Sequence, residues 1–153
     1  MGNWWLIPIV VLPVGMWFYS RRRQRADVAS RDEAARAQFS LRREWLEARF
    51  VTLGTQSGKP RGLAWKSCDF ADEVCFARDR NSGGLRALVA ITIAFEAIEG
   101  GGMEDVEAVS NLRAATAVFR HEDGEWKTDG RPRYNLNPVE VIERYQNELE
   151  TVD

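Results

Sequence analysis

The sequence predicts an α+β membrane protein in which an N-terminal transmembrane helix precedes a small domain of helices and antiparallel strands. Residues 1–20 contain no Lys, Arg, Asp or Glu. The chain then shows the spacing of an amphipathic helix, and from about residue 62 its apolar residues alternate as in β-strands. The expected fold is an amphipathic helix packed on an antiparallel meander of about five strands, closed by a short C-terminal helix.

The composition is that of an ordinary globular chain. Without an anchor, the 153 residues leave about 125, enough for one domain with its own core. Charged residues make up 29% and the net charge is −2, which disfavours a nucleic-acid binder and a disordered acidic tail. The two cysteines are too few for a disulfide framework.

Residues 4–19 are expected to form the membrane anchor. As a helix these 16 residues would span about 24 Å, slightly less than a ~30 Å hydrocarbon core. The residues expected to anchor both ends are Trp4, Trp5, Trp17, Tyr19, Arg21, Arg22 and Arg23. A signal peptide is disfavoured because no basic residue precedes the apolar run. A buried core helix is disfavoured because the run has no charged face.

The basic residues also predict an orientation. Arginines next to a membrane span stay in the cytoplasm, and all of them follow the span. We therefore expect a single-pass protein of a bacterial cytoplasmic membrane, with its N-terminus outside and membrane lipid as one partner. Residues 20–29 would be a basic juxtamembrane segment, and residues 30–153 the cytoplasmic domain.

The amphipathic helix is predicted from Ser30, which starts a capping box with Glu33, to a C-terminal cap at Gly54. Its predicted buried stripe contains Phe39, Leu46, Phe50 and Leu53, widened by Leu41, Trp45 and Ala48. The stripe would cover the sheet, and the alternative is a helix lying on lipid.

Strands are predicted at residues 62–70, 73–80, 85–98, 112–120 and 125–131, with turns at 71–72, 81–84 and 121–124. In the expected pairing Phe76 faces Val89, Asp79 faces Arg86, and Phe119 faces Trp126. The predicted sheet core contains Trp65, Phe76, Ile91, Phe95, Phe119 and Trp126. A final helix is predicted to start at Asn137, with Pro138 in its first turn.

The order of these elements over roughly residues 30–131, with the pattern Gly124-x-Trp126-x-x-x-Gly130, resembles cystatin-like and NTF2-like α+β domains. The resemblance implies a helix packed across a curved antiparallel sheet. It also implies that a small-molecule cavity can lie on the concave side of the sheet, and that some such domains are enzymes.

Small residues could form the floor of such a cavity beneath the amphipathic helix. Ala90, Thr92 and Ala94 alternate along one predicted strand, and Glu96 is the one carboxylate on the same face. A single carboxylate is weak support for catalysis.

No residue pattern predicts catalysis, a cofactor or a metal site. His121, the only histidine, is expected in an exposed turn without a partner for base chemistry. Cys68 and Cys75 are expected to lie opposite each other on a hairpin, as packing thiols or as a redox pair. One histidine and two cysteines are too few for a structural zinc site.

The connection at residues 99–111 is long, rich in glycine and acidic. Its carboxylates at Glu99, Glu104, Asp105 and Glu107 are candidates for contacting a protein partner. Three hypotheses follow. The first is a membrane-tethered, non-catalytic interaction or assembly module, the second an anchored small-molecule-binding or catalytic domain, and the third a lipid-surface protein.

Overall fold

The computed structural model describes residues 7–57 and 62–152, and it has two α-helices and one antiparallel sheet. The elements are α1 (Ile7–Ser57), β1 (Leu63–Asp79), β2 (Leu85–Ala97), β3 (Arg113–Glu122), β4 (Glu125–Thr128), β5 (Arg133–Tyr134), α2 (Pro138–Arg144) and β6 (Leu149–Thr151). The strand order is β4-β3-β2-β1-β6, and β5 pairs with β3. The α+β class is therefore confirmed.

The chain divides into two compact units, Met1–Gln38 and Phe39–Asp153. The first unit holds the N-terminal part of α1. The second holds the rest of α1 and the whole sheet, so that the core and all the sites discussed below belong to it.

The prediction of a transmembrane helix is wrong. Within the described ranges, neither helix offers a stretch that is both long and apolar enough to traverse a bilayer. The described part of the predicted span, residues 7–19, would reach only about 20 Å as a helix, and α1 then runs directly into the arginines. The predictions of a single-pass topology, of its orientation and of a membrane localisation depend on that helix and are wrong as well.

The residues predicted as membrane anchors have other surroundings in the structure. Trp17 and Tyr19 are exposed on α1, as are Arg21, Arg22 and Arg23. The Arg21 guanidinium lies over the Trp17 ring, 4.0 Å from its centroid, in a cation–π contact one helical turn apart. The remaining two predicted anchors, Trp4 and Trp5, lie outside the described residues.

The amphipathic helix does not begin at Ser30. The Ser30 hydroxyl donates to the carbonyl of Asp27 (3.0 Å), one turn back within a continuous α1, so the predicted capping box is wrong. Residues 20–29 contain neither Gly nor Pro and are rich in Arg and Ala, so that nothing in them stops a helix.

Gly54 does not end the helix either. A Cβ atom at Gly54 would come within 2.4 Å of the Trp65 ring, and one at Gly130 within 2.4 Å of the Leu53 Cβ. The two glycines therefore let α1 approach Trp65 and residue 130 closely, which is a packing role and not a capping role.

The first two predicted strands are one strand, β1. Residues 71–73 form an irregularity between Phe70, which pairs with Ile91, and Val74, which pairs with Val89. The Arg43 guanidinium donates to the carbonyls of Ala71 and Asp72. A β-bulge, which Arg43 of α1 holds through these hydrogen bonds, thus replaces the predicted turn.

The predicted register is displaced by two residues in both hairpins. Phe76 pairs with Ala87, not Val89, and Phe119 pairs with Thr128, not Trp126. Because side chains alternate with a period of two, a displacement of two residues leaves Phe76 and Phe119 on their predicted face.

A tighter turn explains the second displacement. Asp123 and Gly124 have φ values of 54° and 78°, as expected of a two-residue Asp-Gly turn with positive φ at both positions. The predicted four-residue turn included His121, which instead lies in β3 opposite Trp126.

The main core lies between α1 and one face of the sheet. Phe39 contacts Phe76, Phe119 and Trp126, with ring centroids 4.9–6.1 Å apart. Most of the predicted core residues are buried: Phe39, Leu46, Phe50, Trp65, Ile91, Phe95, Phe119 and Trp126. Leu53 and Phe76, also predicted in the core, are only half-buried.

A second core lies on the opposite face of the sheet. There α2 buries Val141 and Ile142 against Ala77 and Leu88. The predicted start of α2 is confirmed, since the Asn137 side chain and the Glu140 side chain each bond the other's backbone N–H at 2.9 and 2.8 Å.

Asp79 organises the turn between β1 and β2. Its carboxylate accepts from the amides of Ser82 and Asn81 (both 2.9 Å) and pairs with Arg86. The Ser82 amide, followed by the Arg86 side chain, lowers the pKa of Asp79 from 3.8 to about 2. Asp79 and Arg86 thus form the predicted ion pair, although their backbones are not paired.

Asp79→Asn is expected to destabilise the domain at neutral pH. Because the folded state lowers this pKa, the contribution is present above pH 3.8 and disappears as the pH falls through about 2. Urea unfolding of both proteins between pH 7 and pH 2 should show curves that converge in acid. The exposed Asp105→Asn serves as control, and a constant gap between wild type and Asp79→Asn would contradict this assignment.

Candidate functional site

The first candidate site is the side of α1 turned away from the sheet. Leu41 is 87% and Trp45 is 60% exposed, and Ala48 is exposed between them and the helix end. At about 100° per residue these three side chains lie roughly 180–240° around the helix from Phe39. The prediction that they widen the buried stripe is wrong. We call Leu41, Trp45 and Ala48, with the flanking Arg42 and Arg49, the outer face of α1.

The spacing of the outer face of α1 is that of a helix-packing seam. Leu41, Trp45, Ala48 and Thr52 follow one another at intervals of four, three and four residues, the a/d spacing of a coiled coil. Arg42 and Arg49 lie seven residues apart on one flank of this seam, and neither forms an ion pair with a described residue.

The acidic connection folds back on the domain. A Cβ at Gly62 would come within 2.7 Å of the Gly101 carbonyl oxygen, which shows how closely the two segments pack. Its four candidate carboxylates, Glu99, Glu104, Asp105 and Glu107, are all exposed. Their predicted role in partner binding stays a prediction.

Glu104 has a local role within this connection. Its carboxylate accepts from the Gly100 amide at 2.5 Å. Its own backbone amide, followed by that of Gly100, holds the pKa of Glu104 below its usual range. Glu104 therefore shapes the connection, whatever else the segment binds.

A cavity of about 580 Å³ lies on the sheet face opposite α1, and we call it the α2-side cavity. Ala90 and Thr92 belong to its lining, as the small-residue prediction expected, but Ala94 and Glu96 do not. The prediction that this floor lies beneath the amphipathic helix is wrong, because even-numbered β2 residues face α2 while Val89 and Ile91 face α1.

The α2-side cavity is electronegative. Asp69 lines one wall and Glu140 the other, and its lining contains no Lys or Arg. The Glu140 carboxylate is already engaged in the cap of α2. This arrangement offers no paired acid and base for catalysis.

A second cavity of about 320 Å³ lies on the α1 side of the sheet, between the start of β3, β5 and a 3₁₀ turn at Glu107–Ser110. Its lining consists of Leu63, Phe95, Ala108, Val109, Arg113, Tyr134 and Asn135. We call it the Tyr134 cavity. It contains one cation and no carboxylate.

Two buried polar groups lie next to the Tyr134 cavity. Burial raises the pKa of Tyr134, the nearby Cys68 adds to the rise, and the Trp65 indole opposes it. The Trp65 Nε1 is buried, however, and by distance and angle it makes no hydrogen bond to any described residue. The indole thus lies near the phenol, and its N–H is unbonded.

The two cysteines are not a redox pair. Cys68 pairs with Ile93 on the α1 side, and Cys75 pairs with Leu88 and packs against the α2 cluster. They lie seven positions apart on one strand, so that the predicted placement opposite each other is wrong. Both are free thiols.

Burial, with Asp69 and Glu47 nearby, raises the pKa of the Cys68 thiol from 9.0 to about 12. At pH 8 its thiolate fraction is therefore on the order of a thousandfold below that of an ordinary cysteine. In a Cys75→Ser variant, iodoacetamide should alkylate the native protein correspondingly slowly and the urea-unfolded protein at the ordinary rate. Equal native and unfolded rates would contradict the burial of Cys68.

His121 is half-buried, with its ring 5.1 Å from the Trp126 ring, so its predicted place in an exposed turn is wrong. Over the described ranges, no group of three or more His, Cys, Asp or Glu side chains is arranged to hold a metal ion. No family model, curated protein or solved structure matches the chain. The surfaces of the domain are therefore the basis for inferring its function.

Proposed function

We propose that the chain is a non-catalytic protein-interaction module whose outer face of α1 binds a helix of another protein. The observation that carries the proposal is the exposure of Trp45 and Leu41 one turn apart on the same helix face. Large exposed apolar groups that cluster on a folded domain mark interaction sites. Tryptophan is the residue most enriched among those that dominate binding energy.

The support beneath this face is rigid. Phe39, Leu46 and Phe50 fix the opposite side of the same helix turns in the sheet core, and Arg43 ties α1 to the β1 bulge. A site held in place before binding loses less conformational entropy when the partner arrives.

The flanking charges indicate the chemistry of the partner. Arg42 and Arg49 occupy equivalent positions beside the seam, where residues of a packed helix select their partner by charge. A partner helix with apolar residues along its centre and carboxylates on one edge would satisfy both guanidinium groups. An antiparallel pairing of two copies would instead bring Arg42 close to Arg49 of the second copy, which disfavours that arrangement.

The proposal is tested by comparing baits in an extract of the organism that encodes the chain. Wild type, Trp45→Ala and the matched control Leu112→Ala, which changes an exposed leucine elsewhere, are immobilised at equal density. We expect one protein to be retained by wild type and Leu112→Ala and lost with Trp45→Ala, since truncation of a central tryptophan commonly costs 2 kcal/mol or more, or about 30-fold in affinity.

The second part of the test changes the charges of Arg42 and Arg49. Replacing both Arg42 and Arg49 with Glu should weaken retention of the same protein, and salt should weaken retention by the wild type. Equal recovery on all baits would refute the proposal. Self-association of the wild type that Trp45→Ala abolishes would also refute it, because the occupant would then be a second copy.

A further inference from the structure

We propose that the Tyr134 cavity binds a small organic anion with an apolar body, such as a carboxylic acid in its ionised form. This site is separate from the outer face of α1 and does not depend on the proposed function. It differs also from the α2-side cavity, which lies on the other face of the sheet and carries carboxylates.

The size and walls of the cavity fit a small apolar group. Its volume of about 320 Å³ is at the lower end of the range of ligand sites, roughly 300–1,000 Å³. Leu63, Phe95, Ala108 and Val109 supply apolar surface from β1, β2 and the 3₁₀ turn. The replacement of water at such apolar walls by an apolar ligand lowers the free energy.

The one charged residue in the lining of the cavity is a cation. Arg113 lines it and forms neither an ion pair nor a hydrogen bond with the described part of the chain. Its guanidinium can hold a carboxylate with two parallel hydrogen bonds. Because the lining contains no Asp or Glu, an anion entering it meets no like charge from the walls.

The Trp65 indole is a second polar group beside the cavity, and its hydrogen bonding is incomplete. Trp65 is 9% exposed, and its Nε1 has no hydrogen-bond partner in the described chain. Its ring lies 6.5 Å from that of Phe95, and its N–H lies near Tyr134, so that it adjoins two residues of the lining. A buried N–H without an acceptor costs free energy, and a ligand oxygen would remove that cost.

The test uses sodium benzoate, which combines a carboxylate with a flat apolar body, and its neutral analogue benzamide. Both are titrated into the full-length chain labelled with ¹⁵N, and the indole N–H signals are followed by NMR. The Trp65 signal is assigned as the one missing from Trp65→Phe. We expect benzoate to shift this signal saturably while the signal of Trp45, on the outer face of α1, stays in place.

The charge requirement is tested with the same readout. Benzamide should bind at least about tenfold more weakly than benzoate, and Arg113→Gln should bind benzoate about tenfold more weakly than wild type, as expected when a charge-assisted bond is lost. Lys127→Gln, which removes an exposed cation elsewhere, should leave benzoate binding unchanged.

A variant that fills the cavity but keeps the Arg113 charge gives a further test. Ala108→Phe should abolish the benzoate-dependent shift, and an unchanged Trp126 signal would show that the core is intact. The proposal is overturned if benzoate leaves the Trp65 signal unmoved up to about 20 mM, well above a millimolar Kd. It is likewise overturned if benzamide binds as well as benzoate, or if Arg113→Gln binds benzoate like wild type.

Discussion

Phe39→Ala is expected to destabilise the domain by about 3–5 kcal/mol, the usual cost of removing a buried phenylalanine. Phe39 is 1% exposed and its ring contacts the rings of Phe76, Phe119 and Trp126. Its loss would leave a cavity where α1 meets the sheet. Urea unfolding followed by circular dichroism measures the change in the free energy of unfolding.

Leu41→Ala is the matched control, two residues along the same helix. Because Leu41 is exposed, its truncation should change the free energy of unfolding by about 0.5 kcal/mol or less. If the two variants unfolded at the same urea concentration, the assignment of the buried and outer faces of α1 would be wrong, and the proposed docking surface with it.

Ile91→Asp is expected to destabilise the domain by at least about 4 kcal/mol, which approaches the whole stability of a marginally stable domain, roughly 5 kcal/mol. Ile91 is buried in the centre of β2, with Phe70 on one neighbouring strand and Ala115 on the other. A carboxylate there would have to be buried without a partner or remain protonated, and both are costly.

Thr92→Asp places the same carboxylate one residue further along β2, on the opposite face. Thr92 lines the open α2-side cavity, where water can reach it, and it pairs with Asp69 of β1. The expected cost, which includes repulsion from Asp69, is about 2 kcal/mol or less. Soluble yield and the cooperativity of thermal unfolding distinguish the two variants. Similar behaviour would show that the two faces of β2 are not distinct.

Local patterns predicted the core well. The helical spacing of Phe39, Leu46 and Phe50 and the alternation along β2 identify buried residues, because these periods reflect how side chains leave helices and strands. The outer face of α1 was missed because Leu41 and Trp45 were added to the buried stripe by hydrophobicity alone. Their angular position, about opposite Phe39 at roughly 100° per residue, already indicated exposure.

Boundaries and registers were harder to predict. The pair Ala71-Asp72 lacks the glycine or asparagine of a tight turn, and the bulge that replaces it depends on Arg43, almost thirty residues earlier. The two-residue displacement has a different origin in each hairpin. The predicted turn at 121–124 is too long, whereas the predicted turn at 81–84 is centred one residue too late. The helix start at Ser30 failed because a capping sequence carries little weight when the preceding residues also favour a helix.

The transmembrane anchor was predicted wrongly, and the Tyr134 cavity was not predicted at all, for different reasons. The apolar residues 4–19 have the composition of a membrane span, but their 16 residues are fewer than the roughly 20 that a transmembrane helix needs. The cavity brings together side chains from residues 63 to 135. No pattern within one segment could predict it, because its walls meet only through the pairing of strands.

The central claim, that the outer face of α1 binds a helix of another protein, is tested most directly by photo-crosslinking. Benzophenone-alanine replaces Ala48, next to Trp45 on the outer face of α1, in one protein and the exposed Leu112 in another. After irradiation with an extract of the encoding organism, mass spectrometry identifies the crosslinked peptide. We expect position 48, and not position 112, to label one protein within an amphipathic helix that carries Asp or Glu along one edge. Labelling of this chain itself, or the same proteins from both positions, would contradict the claim.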